Sequence, residues 1–120
     1  LTTSTPQPKR GEIWQINLDP TVGVEMQKQR PVVVISSDAA GRLPIKLIAP
    51  ITGWDTRYSN NFWHVKINHN ASNGLSKASA VDVLQSRGVD TGRFIRKIGR
   101  LEAGLMEDIA AAMAALVEHV

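Results

Sequence analysis

Arg30 stands immediately before Pro31 at the mouth of the apolar run PVVVIS, and Thr52 follows a second apolar run, IKLIAPI. A guanidinium offers five N–H donors in a planar fork that suits phosphate or carboxylate, and a threonine hydroxyl adds a further hydrogen bond. Together they could hold something anionic and extended and stabilise charge growing on it. If the two runs pair as antiparallel strands through the short SDAAGRLP connection, the start of the first and the end of the second share one rim. Taken singly, each has a plainer reading. An arginine on a rim is usually solvated, and Pro-Ile-Thr can be a turn closed by a side-chain hydrogen bond. The polar segment before Arg30, broken by Gly23, carries Glu25, Gln27 and Lys28 and is expected to cover a bound substrate and to order on binding.

Other chemistries find little support. The histidines are His64, His69 and His119, with no HExxH pattern and no cysteine, so neither a metal site nor a cofactor is expected. There is no GxSxG, Walker or GxGxxG motif, and Ser36, Ser37, Ser76 and Ser79 have no evident base beside them in sequence.

The elements that must position Arg30 and Thr52 read as mainly β. At 120 residues and 42% hydrophobic, the chain fits one domain with one core, with residues 1–9 as a flexible tail and 10–120 as the domain. GEIWQINL and FWHVKI alternate with period two, PVVVIS is apolar on both faces, and SKASAVDVL is a further strand candidate. Pro50 marks the end of the IKLIAPI strand. GVDTGRFIRKIGRL fits either a helical turn or a small strand. From Glu102 to Glu118, apolar residues recur at three- and four-residue spacing, which predicts an amphipathic helix with acidic residues suiting its start. The expected fold is α+β, a strongly bent antiparallel sheet or barrel closed by a C-terminal helix. A net charge of +3, with a basic cluster from Arg87 to Arg100, mildly favours anionic partners. No apolar run is long enough to span a membrane, no secretory signal is visible, and a cytoplasmic location is expected.

Several stretches in order, RGEIW, DPTVGVE, QRPVVVIS, APIT, NGLSKASAV, QSR and IGRLEAGLMEDIAAAM, resemble the MazF/PemK (Kid) family of toxin endoribonucleases over residues 9 to 118. The resemblance implies an SH3-like barrel with a C-terminal helix, a homodimer, metal-independent cleavage of single-stranded RNA, and a cognate antitoxin. It implies Arg30 and Thr52 as catalytic residues, and it places Gln85 and Arg87 in an RNA-binding motif. Some members have an acidic residue just before that glutamine; here Leu84 stands there. Trp54, in a loop, is a candidate for stacking on bases, whereas Trp14 and Trp63 sit in strand patterns and suit the core. RNA carries its own nucleophile, so attack of the 2′-hydroxyl would leave a 2′,3′-cyclic phosphate and a 5′-hydroxyl. Two other readings keep the fold: a gyrase-poisoning toxin of CcdB type, and a catalytically silent SH3-like binding module.

Overall fold

The computed structural model describes residues 7–18, 29–41 and 43–119. Among them lie β1 (Glu12–Asn17), β2 (Gln29–Val34), β3 (Ile45–Gly53), β4 (His64–Ile67), β5 (Ser79–Asp82), β6 (Arg87–Asp90), β7 (Phe94–Arg100) and one helix, α1 (Ala103–Leu116). Every ladder is antiparallel, and the sheet runs β4-β5-β3-β2-β1-β7, with β6 pairing on β3. The ambiguous GVDTGRFIRKIGRL segment supplies both alternatives, a 3-10 turn over Thr91–Arg93 and the strands on either side of it.

Strand β3 organises the bend. It pairs β6 over Ile45–Ile48, β2 over Ile48–Pro50 and β5 over Ile51–Gly53. A strand that changes partners along its length turns the sheet round on itself. The edge strands β4 and β7 do not pair with each other, so the sheet is open and "barrel" describes only its curvature.

Pro50 sits inside β3, and hydrogen-bond alternation shows why it is tolerated. Val34 O accepts from Gly11 N on the β1 side, and Ile35 N donates to Leu47 O on the β3 side. Counting back, Val32 bonds toward β1, and its cross-strand partner Pro50 turns its nitrogen away from β2. That nitrogen meets the gap between the last pair with β6 and the first with β5, where no donor is needed. The strand therefore continues through Pro50 to Gly53 rather than ending there.

Two apolar layers follow from the same alternation. Under α1, Ile13, Val33, Ala49, Ile51 and Val81 meet Leu101, Met106, Ile109 and Ala112. On the other face Ile16, Val32, Val34, Ile48, Val89 and Phe94 form a second cluster, with Trp14 packed against it. Strand β2 is thus apolar on both sides, which explains its unbroken valines; each fully buried one contributes about 1.5–3 kcal/mol. Trp14 meets Phe94 edge-on and donates Nε1–H to Glu12, and Trp63 packs on the main core, so both are structural.

Helix α1 lies within the expected bounds. Its buried stripe is Met106, Ile109 and Ala112, flanked by Leu105, Met113 and Leu116. Glu102 is its N-cap but makes no side-chain capping bond, and no acidic residue occupies the first turn, because Glu107 and Asp108 fall one turn later. Of the segment read as a tail, residues 1–6 lie outside the described residues. Pro8 is fully buried, Lys9 N–H donates to Glu12 at 2.8 Å, and Arg10 N–H donates to Asp38 at 2.9 Å.

Candidate active site

The register of β2 and β3 places the two sequence-derived residues together. Val32 is level with Pro50, so two residues further along, Arg30 is level with Thr52. No ladder pair forms there, because β3 leaves β2 at this point and Thr52 pairs Ala80 of β5 instead. The parting of the strands opens a cavity of about 420 Å³, lined by Arg30, Thr52 and Gly53 and by Leu75, Ser76 and Lys77. Arg30 is exposed, and among the described residues its guanidinium has no hydrogen-bond or ion-pair partner. It is an exposed cation at the rim of this cavity.

Sequence reasoning missed the third side of the cavity. Asn73, only 2% exposed, builds it. Its side-chain oxygen accepts from Asn70 N–H and Leu75 N–H, both at 3.0 Å, and its amide donates to Asn68 O at 2.9 Å. This turn is pressed onto β7 at Gly99, where a Cβ would come within 2.5 Å of the Asn73 carbonyl. The chain leaving the turn is then fixed by Trp54 N–H donating to Ala78 O at 3.0 Å and by Ser79 Oγ–H donating to Lys77 O at 2.9 Å. Lys77 consequently lies across Gly53, with Nζ 3.1 Å from where a Cβ on that glycine would stand. A second cation thus enters the cavity, from within the NGLSKASAV stretch. The signal available in sequence was Gly53 directly after Thr52, a residue with no side chain where another must pass.

Arg30 also walls a second concavity, of about 380 Å³, with Leu18, Ile48, Pro50, Gln85 and Arg87. Pairing of Ile48 with Arg87 brings the QSR stretch to β3. Gln85 and Arg87, both exposed, therefore join Arg30 in space. Leu84 is 59% exposed and turns no carboxyl toward either concavity. Asp82 is the carboxylate that meets this stretch: its Oδ2 accepts from Gln85 Nε2 at 3.0 Å.

Trp54 lies beside the first cavity without lining it. Its ring meets Tyr58 edge-on at 5.9 Å and carries Lys66 Nζ 5.0 Å from its centroid. Tyr58 in turn stacks on His64 at 3.9 Å. Glu25, Gln27 and Lys28 lie outside the described residues. No group of three or more metal-ligating side chains occurs among the described residues.

The family model for the PemK-like, MazF-like toxin of type II toxin-antitoxin systems matches residues 9–117. The endoribonuclease MazF9 of Mycobacterium tuberculosis is 31% identical over 111 residues, covering 88% of this chain and 92% of its own. The endoribonuclease EndoA of Bacillus subtilis is 31% identical over 106 residues, covering 88% and 90%. In fold, the chain superposes on a MazE-MazF crystal structure from Deinococcus radiodurans with a TM-score of 0.72 at 19% identity, covering 94% of this chain and 97% of that one.

Proposed function

The chain belongs to the PemK-like, MazF-like family of toxins from type II toxin–antitoxin systems, and from that premise we propose that it cuts single-stranded RNA across the wall that Arg30 forms between the two concavities. It is an endoribonuclease, as its curated relatives are, and the gyrase-poisoning and catalytically silent alternatives give way to that activity. The observation that supports the site is the common position of Arg30. It borders Thr52 and Lys77 on one side and Gln85 and Arg87 on the other. A chain threaded over Arg30 would have a phosphate at the guanidinium and a nucleotide on each flank.

The reaction needs a nucleophile, a sink for charge and a leaving-group proton. The substrate's 2′-oxygen attacks the adjacent phosphorus; the O2′–P bond forms, the P–O5′ bond breaks, and the 2′-proton passes to a base or to water. The Arg30 guanidinium meets the non-bridging oxygens as they gain charge, and Thr52 adds a hydroxyl donor. A guanidinium only donates, so Arg30 is not the base; it donates a hydrogen bond toward O5′ while the departing oxygen takes its proton from water. The products are a 2′,3′-cyclic phosphate and a 5′-hydroxyl, without a metal ion.

RNA digested in the presence of EDTA tests the scheme directly. Ends carrying 5′-hydroxyl and cyclic phosphate are expected. A 5′-phosphate end, or activity abolished by EDTA, rejects it. The MazE-MazF structure in Deinococcus radiodurans supports a cognate antitoxin partner, for which a groove lined by Arg30, Lys77 and Arg87 favours an acidic segment. Messenger RNA as the target, a homodimeric state and a cytoplasmic location belong to the same reading; among the described residues no helix is long and apolar enough to cross a membrane.

A further inference from the structure

Asp82 is placed where an aspartate ordinarily caps a helical turn. It is the N-cap of the 3-10 turn Val83–Gln85, yet its side chain makes no capping bond. It turns the other way. Oδ2 accepts from Gln85 Nε2 at 3.0 Å and lies 3.6 Å from His64 Nε2, the residue directly opposite on β4. Oδ1 is buried without a hydrogen-bond partner. An oxygen left in that state weakens the fold, so the arrangement is a poor device for stability alone.

His64 is itself held. Asn61 Nδ2 lies 3.2 Å from His64 Nδ1. An amide nitrogen only donates, so Nδ1 is the acceptor and the neutral ring carries its proton on Nε2, facing Asp82. Tyr58 stacks on the ring at 3.9 Å with the planes 5° apart, which fixes its tilt. The side chains of His64 and Asp82 are 9% and 13% exposed. The aspartate therefore has a rigid back wall in His64, and Gln85 donates to it.

We propose that Asp82 is a positioning residue that fixes the orientation of the Gln85 amide and so presents Gln85 Oε1 as an acceptor that reads one nucleotide base. A carboxylate oxygen accepts and does not donate, so it binds the Gln85 NH2 end and rejects the flipped amide. By the trigonal geometry of the amide, Gln85 Oε1 is left for the concavity shared with Arg30 and Arg87. An acceptor there selects a base that presents N–H at that edge, an exocyclic amine or an imino group, over one that presents an oxygen or a bare nitrogen. This inference rests on the reading of the concavity as an RNA path.

The test is a randomised single-stranded RNA pool cut by the full chain, with the new 5′ ends sequenced to give nucleotide preference at each position around the cut. Q85A is expected to lose about tenfold preference at one position, the effect of one neutral hydrogen bond. D82N, whose own amide can give or accept, is expected to relax preference at that same position and leave the others intact. The double variant should match Q85A alone, because Asp82 acts only through Gln85. Unchanged preference in D82N, equal change at every position, or a further loss in the double variant overturns the proposal. A measurement on the unmutated protein stands beside these: the Gln85 side-chain NH2 should show restricted motion by nitrogen-relaxation NMR, and motion equal to that of a free glutamine amide overturns the fixed amide. A protein that cuts no RNA overturns the proposed function, while the amide signal still reports on the orientation.

Discussion

At the scale of single residues, the site predicts unequal losses. Arg30→Ala removes the charged donor at the proposed scissile phosphate, and kcat should fall by about 10²–10³ with the fold intact, as read by circular dichroism beside a fluorogenic RNA assay. Lys77→Met keeps the length of the side chain and removes its charge; a drop of about 10–100-fold in kcat/KM is expected, the worth of one charge-assisted hydrogen bond. Gly53→Ala should reproduce part of that loss, because the new methyl would stand about 3.1 Å from Lys77 Nζ and push the ammonium aside. An RNA assay in which Lys77→Met matches the unmutated enzyme removes Lys77 from the site. Arg30 and Thr52 were legible in sequence because strand order alone placed them on one rim. Lys77 was not, since its position depends on how the Asn73 turn packs against β7. The arrangement of Asp82 was hidden for a similar reason: only the β4–β5 register sets it opposite His64.

At the scale of elements, most strands were legible because period two and the valine run need no tertiary information. The strand end at Pro50 was misread because tolerance of a proline depends on which neighbour lies beside it, here none. The turn from Asn68 to Leu75 is a run of mostly polar residues in sequence, yet Asn73 makes three side-chain hydrogen bonds at its centre. Asn73→Ala leaves buried backbone groups unpaired and should cost about 2–3 kcal/mol in urea unfolding. It should also lower activity, since Ser76 and Lys77 follow directly. A variant as stable as the parent would show that the turn is held from elsewhere. At the other end of the sheet, Glu12 joins Lys9 N–H, Trp14 Nε1 and Lys97 Nζ. Burial pushes its carboxyl up, but the bonds from Lys9, Trp14 and Lys97 outweigh that and hold it below the ordinary 4.5. A lowered folded-state pKa means stability that is present above 4.5 and lost as pH falls through the lowered value. Glu12→Gln should therefore be less stable at neutral pH and lose less on acidification, so the two stability curves converge at low pH. Parallel curves would mean that Glu12 contributes nothing to the acid limb.

At the scale of the whole molecule, the question is what covers the start of β3. Side chains alternate along this strand, so Ile45 and Leu47 share a face with Ala49 and Ile51. Ala49 and Ile51 are buried in the core under α1, but Ile45 and Leu47 are 57% and 37% exposed, and Leu43 just before them is 58% exposed. The helix covers only the far half of an apolar face. A narrow cavity of about 160 Å³ beside it, lined by Ile35, Leu47, Met106 and Met113, continues the same surface. An apolar strip of this kind fits the flat centre of an isologous contact, in which each copy covers the other's strip about a two-fold axis. Arg30 and Thr52 stand at the other end of β3, so the pairing would leave both active sites open. Ile45→Glu and Leu47→Glu each place a charge in the proposed contact, and either should convert a dimer into a monomer by light scattering. Both positions lie away from the rim that carries Arg30 and Thr52, so RNA cleavage per chain should change little. An unmutated chain that runs as a monomer at micromolar concentration would remove the second copy as the cover for this face.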